Sequence, residues 1–174
     1  MPPLCHGGIA GENGLMPAAA YDFDNMDAFF TALGELQSKF MSLEYWLRTF
    51  LFRHERWPFM RGLDSISVGD IVEANPFTNY DPLGVLISKY NGVIRLQDAS
   101  LVIDRNVVDV RDALAHGRIY WKTVKSQPRL LKFSKPDKVT GKYRAQTVET
   151  LDPAKLAQWN YCLSVAMKRL GKAL

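Results

Sequence analysis

The stretch Val107-Val108-Asp109-Val110-Arg111-Asp112-Ala113-Leu114-Ala115-His116-Gly117 decides how the chain is read. Ile103, Val107, Val110 and Leu114 recur at spacings of four, three and four, so they form one apolar stripe. The spacing predicts a helix over about 101–116, capped by Asp98 or Ser100 and stopped by Gly117. At about 100° per residue, Arg111 falls roughly 70° from the centre of the stripe, and Asp112 and His116 fall almost opposite it. A guanidinium, a carboxylate and an imidazole thus share the outward half of a helix whose inner half is buried. Two readings stand here. In one, this is an ordinary helix end, with His116 favoured by the dipole and Arg111 and Asp112 as surface charges. In the other, the polar group is a site.

Stripes of the same kind flank this stretch. Leu33, Leu36, Phe40, Leu43, Leu47 and Phe50 predict a long helix over about 26–53, with Trp46 and Leu51 widening its apolar face and Asp22, Asp24 or Asn25 as its cap. Asp81-Pro82 predicts the start of a second helix, with Asp81 at the cap and Pro82 at the first helical position; Asn91-Gly92 is its expected stop. Asp152-Pro153 repeats that start before Leu156, Trp159, Leu163, Met167 and Leu170, a final helix to about residue 170 with Trp159 and Met167 in the core. Between Gly117 and Asp152 the periodicity changes. Segments 118–121, 129–133 and 143–148 read as short strands, with turns at Pro128, Pro136 and Thr140-Gly141. The expectation is a mainly α protein. It is an up-and-down bundle of about four helices with a small β-hairpin or three-stranded sheet inserted before the last helix.

Residues 1–20, rich in Gly, Pro and Ala, read as a flexible arm, and 21–174 as a single domain that carries the insertion at 118–149. No apolar run is long enough to span a bilayer, and no secretory signal is expected from the first residues. Cys5 and Cys162 do not suggest a disulfide framework, which points to a reducing cytoplasm. His6, His54 and His116 are too scattered for a zinc site, and no Gly-x-Ser-x-Gly nucleophile elbow is present. Cofactors are expected to be none.

The net charge of +4 is unevenly placed. Residues 1–57 hold four Lys/Arg against seven Asp/Glu, whereas 118–148 hold nine (Arg118, Lys122, Lys125, Arg129, Lys132, Lys135, Lys138, Lys142, Arg144) against Asp137 alone. Such asymmetry suits a nucleic-acid face, and it equally suits a solvated hairpin protected at its edges by lysines.

The run Arg111-Asp112-Ala113-Leu114-Ala115-His116-Gly117 resembles the signature of the HEPN superfamily, an Arg followed by Asn, Asp or His and, four to six residues on, a His. The resemblance covers the helices, about two thirds of the chain. It implies metal-independent endoribonuclease activity that leaves a 2′,3′-cyclic phosphate and a 5′-hydroxyl, at a site formed across a homodimer. Arg111, His116 and Asp112 would then be catalytic. An imidazole can move protons near neutral pH, and a guanidinium presents a charged fork to phosphate. Arg118, Tyr120 and Lys122 follow closely and would bind RNA. The run Leu43-Glu44-Tyr45-Trp46-Leu47-Arg48 looks like the first helix of such proteins, so Glu44 and Arg48 either reach the site or form a plain surface pair. The resemblance also implies a toxin–antitoxin or anti-phage setting with a protein antitoxin or inhibitor. One departure bears on that partner. Toxins of this family that are modified by a nucleotidyltransferase carry Tyr two residues after the His, where this chain has Arg118. The alternative is a non-catalytic HEPN-like dimeric module that binds RNA, a nucleotide or a protein partner.

Overall fold

In the computed structural model, which describes residues 26–57, 66–123 and 126–174, helix α1 runs Met26–His54. Its buried stripe is Phe29, Ala32, Leu36, Phe40, Leu43, Leu47, Phe50 and Leu51. Trp46, expected to widen this stripe, is 40% exposed. On a helical wheel it lies roughly 80° from the stripe's centre, at its edge. The arm 1–20, the proposed caps Asp22, Asp24 and Asn25, and Cys5, His6 and Lys125 lie outside the described residues. Cys162 is not a free thiol, so cysteine usage gives no support for a reducing compartment.

Helix α2 spans Leu83–Ile94, one residue later than the Asp-Pro signal implies. Pro82 occupies the cap position, and its carbonyl accepts from Val85 N (2.8 Å) and Leu86 N (3.1 Å). Asp81 does not cap, because its carboxylate takes Lys89 Nζ at 2.7 Å and its carbonyl takes Arg48. Nor does Asn91-Gly92 stop the helix. Asn91 is buried, and its amide acts as a piece of backbone: Nδ2 donates to Ile103 O and Oδ1 accepts from Ile103 N, both at 2.8 Å.

That pairing also explains where α3 begins. Asp98 does cap, but only a 3-10 turn, Ala99–Leu101, and α3 spans Asn106–His116 rather than starting near residue 101. Tyr90 Oη donates to Leu101 O, Arg169 Nη1 to Val102 O, and Asn91 holds both backbone groups of Ile103. Backbone groups held by side chains are not available to a helix.

The sheet follows directly: β1 (Arg118–Tyr120), β2 (Arg129–Phe133) and β3 (Ala145–Thr150), antiparallel in the order β1-β2-β3. The third strand starts two residues later than its apolar pattern implies. Helix α4 spans Pro153–Ala173 and begins as its sequence predicts, with Asp152 Oδ1 accepting from Lys155 N at 2.7 Å. Trp159 is core, whereas Met167, expected beside it, is half-buried. The protein is therefore mainly α, with four α-helices among the described residues and a small sheet before the last. None of these helices is long and apolar enough to cross a membrane.

Contacts group the chain into two compact units, and α1 and α4 contribute to both. One holds α1 up to Lys39, α3, the sheet, and α4 up to Ser164. Its core is Phe29, Leu36, Val107, Val110, Leu130, Leu151, Trp159 and Leu163. The other holds Phe40–Arg105 and Val165–Leu174, with Leu43, Leu47, Leu86, Ile87, Tyr90 and Ile103 at its centre.

Candidate nucleic-acid site

Helix α3 buries Val107, Val110 and Ala113. Arg111 and Asp112 are half-buried, and Ala115 and His116 are exposed. Arg111 Nη1 meets Asp112 Oδ1 at 3.4 Å, with side chains 37% and 42% exposed, a geometry that binds weakly. Among the described residues no hydrogen bond joins Asp112 to His116, and the carboxylate's partner is Arg111. Five residues of α-helix turn through 500°, which puts Arg111 and His116 roughly 140° apart around the axis.

Gly117 ends α3, but not through a left-handed conformation. Its N–H still donates to Ala113 O at 2.8 Å, and only Gly69 and Gly141 have positive φ among the described glycines. Its small size is required for another reason. A Cβ there would lie 2.3 Å from Ala113 O and 2.5 Å from Leu130 Cδ1. The chain turns into β1 directly against the buried Leu130 of β2.

This close approach sets the faces of the sheet. Strand residues alternate sides, and Leu130 is fully buried, so its neighbours in sequence point the other way. Arg118 pairs with Leu131, and Tyr120 with Arg129. The outward face therefore carries Arg118, Tyr120, Arg129 and Phe133, all exposed except the intervening Leu131. Arg129 Nη1 donates to Tyr120 Oη at 3.2 Å, and the Arg118 guanidinium lies 5.9 Å from the centre of the Phe133 ring.

His116 and Arg118 line a shallow cavity of about 370 Å³ with Phe133, Ser134 and Tyr143. The turn that brings Tyr143 there is built locally. Gly141 has φ +66°, and Asp137 Oδ1 accepts from Thr140 N (2.7 Å), Thr140 Oγ1 (2.9 Å) and Val139 N (3.0 Å). The Thr140 amide and hydroxyl and the Val139 amide hold the Asp137 carboxyl below its usual range. Ser134 clamps the base of this turn: its Oγ donates to Lys135 O and accepts from Arg144 N. It is a structural hydroxyl rather than a nucleophile.

Of the residues expected at a site, the structure brings His116 and Arg118 together, with Tyr120 next along β1 and Lys122 exposed just beyond it. Arg111 and Asp112 do not line this cavity. Glu44 and Arg48 belong to the other unit, and Arg48 is more than a plain surface pair. Its Nη1 donates to Pro76 O (2.5 Å), Asn79 O (3.2 Å) and Asn79 Oδ1 (3.0 Å), and its Nη2 to Asp81 O and Glu44 Oε1 (both 2.9 Å). It fastens the segment that leads into α2. Sequence reasoning missed Phe133 and Tyr143. The signal for Phe133 was parity, because it shares a strand face with Arg129.

Among the described residues, no group of three or more His, Cys, Asp or Glu is placed to hold a metal. The chain matches no family model, no curated protein and no solved structure.

Proposed function

We propose that this chain is a metal-independent endoribonuclease of HEPN type that works as a homodimer. The observation that carries this is His116. It stands exposed at the end of α3, in the position the motif requires, and opens onto a cavity shared with a guanidinium and two aromatic rings. Within one copy, Arg111 and His116 diverge around the helix. Two copies related by a two-fold axis would let Arg111 of each face a phosphate near His116 of the other.

In the reaction, one imidazole takes the proton of a ribose 2′-hydroxyl as that oxygen attacks phosphorus. The bond from phosphorus to the 5′ oxygen breaks, and an imidazolium returns a proton to the leaving oxygen. The products are a 2′,3′-cyclic phosphate and a 5′-hydroxyl. Arg111 neutralises the charge on the phosphorus oxygens in the transition state. Asp112 holds the Arg111 fork, and Arg118 and Lys122 hold the flanking backbone. A cytoplasmic setting as a toxin or anti-phage effector, checked by an inhibitor protein, goes with this reading.

The test is cleavage of total RNA and tRNA in EDTA by the full chain. Arg111→Ala and His116→Ala should each lower the rate by about 10²–10⁴-fold, with the circular dichroism spectrum and sedimentation unchanged. A non-catalytic dimeric module binding RNA, a nucleotide or a protein is the second reading, and the absence of Arg111 from the lining of the His116 cavity favours it. No cleavage by any of the three proteins would decide for that module, and equal cleavage by all three would place the activity outside this motif.

A further inference from the structure

We propose that the outward face of the β sheet is a base-stacking platform, on which Phe133 and Tyr143 receive one unpaired nucleobase beside His116. It rests on the ribonuclease reading only for what His116 then does.

The insertion's positive charge alone predicts indifferent attraction to any polyphosphate. Its geometry adds something that charge does not. Phe133 is 39% and Tyr143 65% exposed, although large rings are usually buried, and both line the cavity that holds His116. Phe133 ends β2, and Tyr143 sits just before β3, held by the Ser134–Arg144 pairing. Two rings from neighbouring segments thus stand at one concave site, and no described core residue covers them. Arg118 lies loosely over Phe133, so its guanidinium plane can lie against a base or turn to the adjoining phosphate.

The face continues in the same chemistry. Two residues further along β1, about 7 Å away, Tyr120 is held through its hydroxyl by Arg129. Ring and guanidinium thus recur along the strand at a spacing suited to successive nucleotides of an extended chain. A base inside a duplex has both faces covered by its neighbours, so a stacking platform selects unpaired nucleotides. The lysines of the surrounding loop, Lys135, Lys138 and Lys142, are exposed and would follow the backbone.

The experiment is fluorescence anisotropy with the full chain and a labelled oligoribonucleotide whose 2′-hydroxyls are methylated, so that it cannot be cleaved. The same strand is offered as a single strand, as a duplex, and with its central nucleotides abasic. The single strand should bind about tenfold tighter than either of the others. Phe133→Leu and Tyr143→Leu keep apolar bulk but lose the ring. Each should weaken the single strand about tenfold and leave the abasic strand unaffected. Lys138→Ala should weaken all three equally. Equal binding of the three probes, or indifference of the single strand to both leucine variants, would overturn the platform. The two proposals fail separately. Cleavage that depends on His116 in a protein with base-indifferent binding removes the platform alone. Base-dependent binding in a protein that never cleaves removes the ribonuclease alone.

Discussion

The guanidinium of Arg48, 12% exposed, reaches five acceptors at 2.5–3.2 Å, whereas that of Arg111, 37% exposed, meets one carboxylate at 3.4 Å. The same contrast runs through the two units. In the unit of α2, Arg48, Asn91 and Tyr90 are turned inward onto backbone groups that would otherwise be buried without partners. In the unit of α3 and the sheet, His116, Arg118 and Tyr120 are exposed and Arg111 is half-buried, with weak or no pairing to the core. A polar group that folding has already satisfied is costly to remove and has little capacity left for a ligand. One left in water costs little to remove, and its hydrogen-bonding capacity remains available.

The largest effect that would test this contrast is on Arg48. Arg48→Ala leaves Glu44 and the carbonyls of Pro76, Asn79 and Asp81 without their donor, and should cost about 3 kcal/mol in urea denaturation. Arg111→Ala should stay within about 0.5 kcal/mol of the parent. Equal costs would erase the distinction between the two arginines.

Next in size is Gly117, where the open unit is tight after all. Gly117→Ala drives a Cβ to 2.3 Å from a backbone oxygen and should cost about 1–3 kcal/mol. Because it shifts the joint between His116 and Arg118, the cleavage proposed for this site should fall although both side chains remain. A neutral Gly117→Ala would mean that α3 and β1 have slack between them.

The smallest effect is on Tyr90. Burial pushes its phenol up to about 12, against the pull of the Arg169 charge. The folded value lies above the unfolded value of about 10. Its contribution is therefore complete below about pH 10 and is lost as pH rises toward 12. Tyr90→Phe should lose about 1 kcal/mol at neutral pH, from the bond to Leu101 O. It should also flatten the alkaline part of a stability-against-pH curve. An unchanged alkaline slope would show that Tyr90 is not one of the groups that produce it.

The site was legible only in part. His116 and Arg118 share a cavity because they are two residues apart across a helix end, which is local information. Phe133 and Tyr143 join them through strand pairing and a turn, and their distance in sequence hid them. Arg48 looked like a partner of Glu44 at i,i+4, and it is one. Its three carbonyl acceptors come from residues 76–81, which no periodicity announces.

Local sequence set what depends on neighbours in the chain: most of the α1 stripe, the Asp152 cap of α4, the position of β2 and the glycine turn at Gly141. These follow from side-chain spacing and local hydrogen bonds, which act before any long-range contact forms. Tertiary structure decided the rest. It carried α2 through Asn91-Gly92, delayed α3 to Asn106, moved Asp81 from cap to ion pair and made Gly117 a packing glycine. In each case a backbone or side-chain polar group had two possible partners. Packing decided between them, because an unpaired polar group in the interior costs more than an unfulfilled local preference.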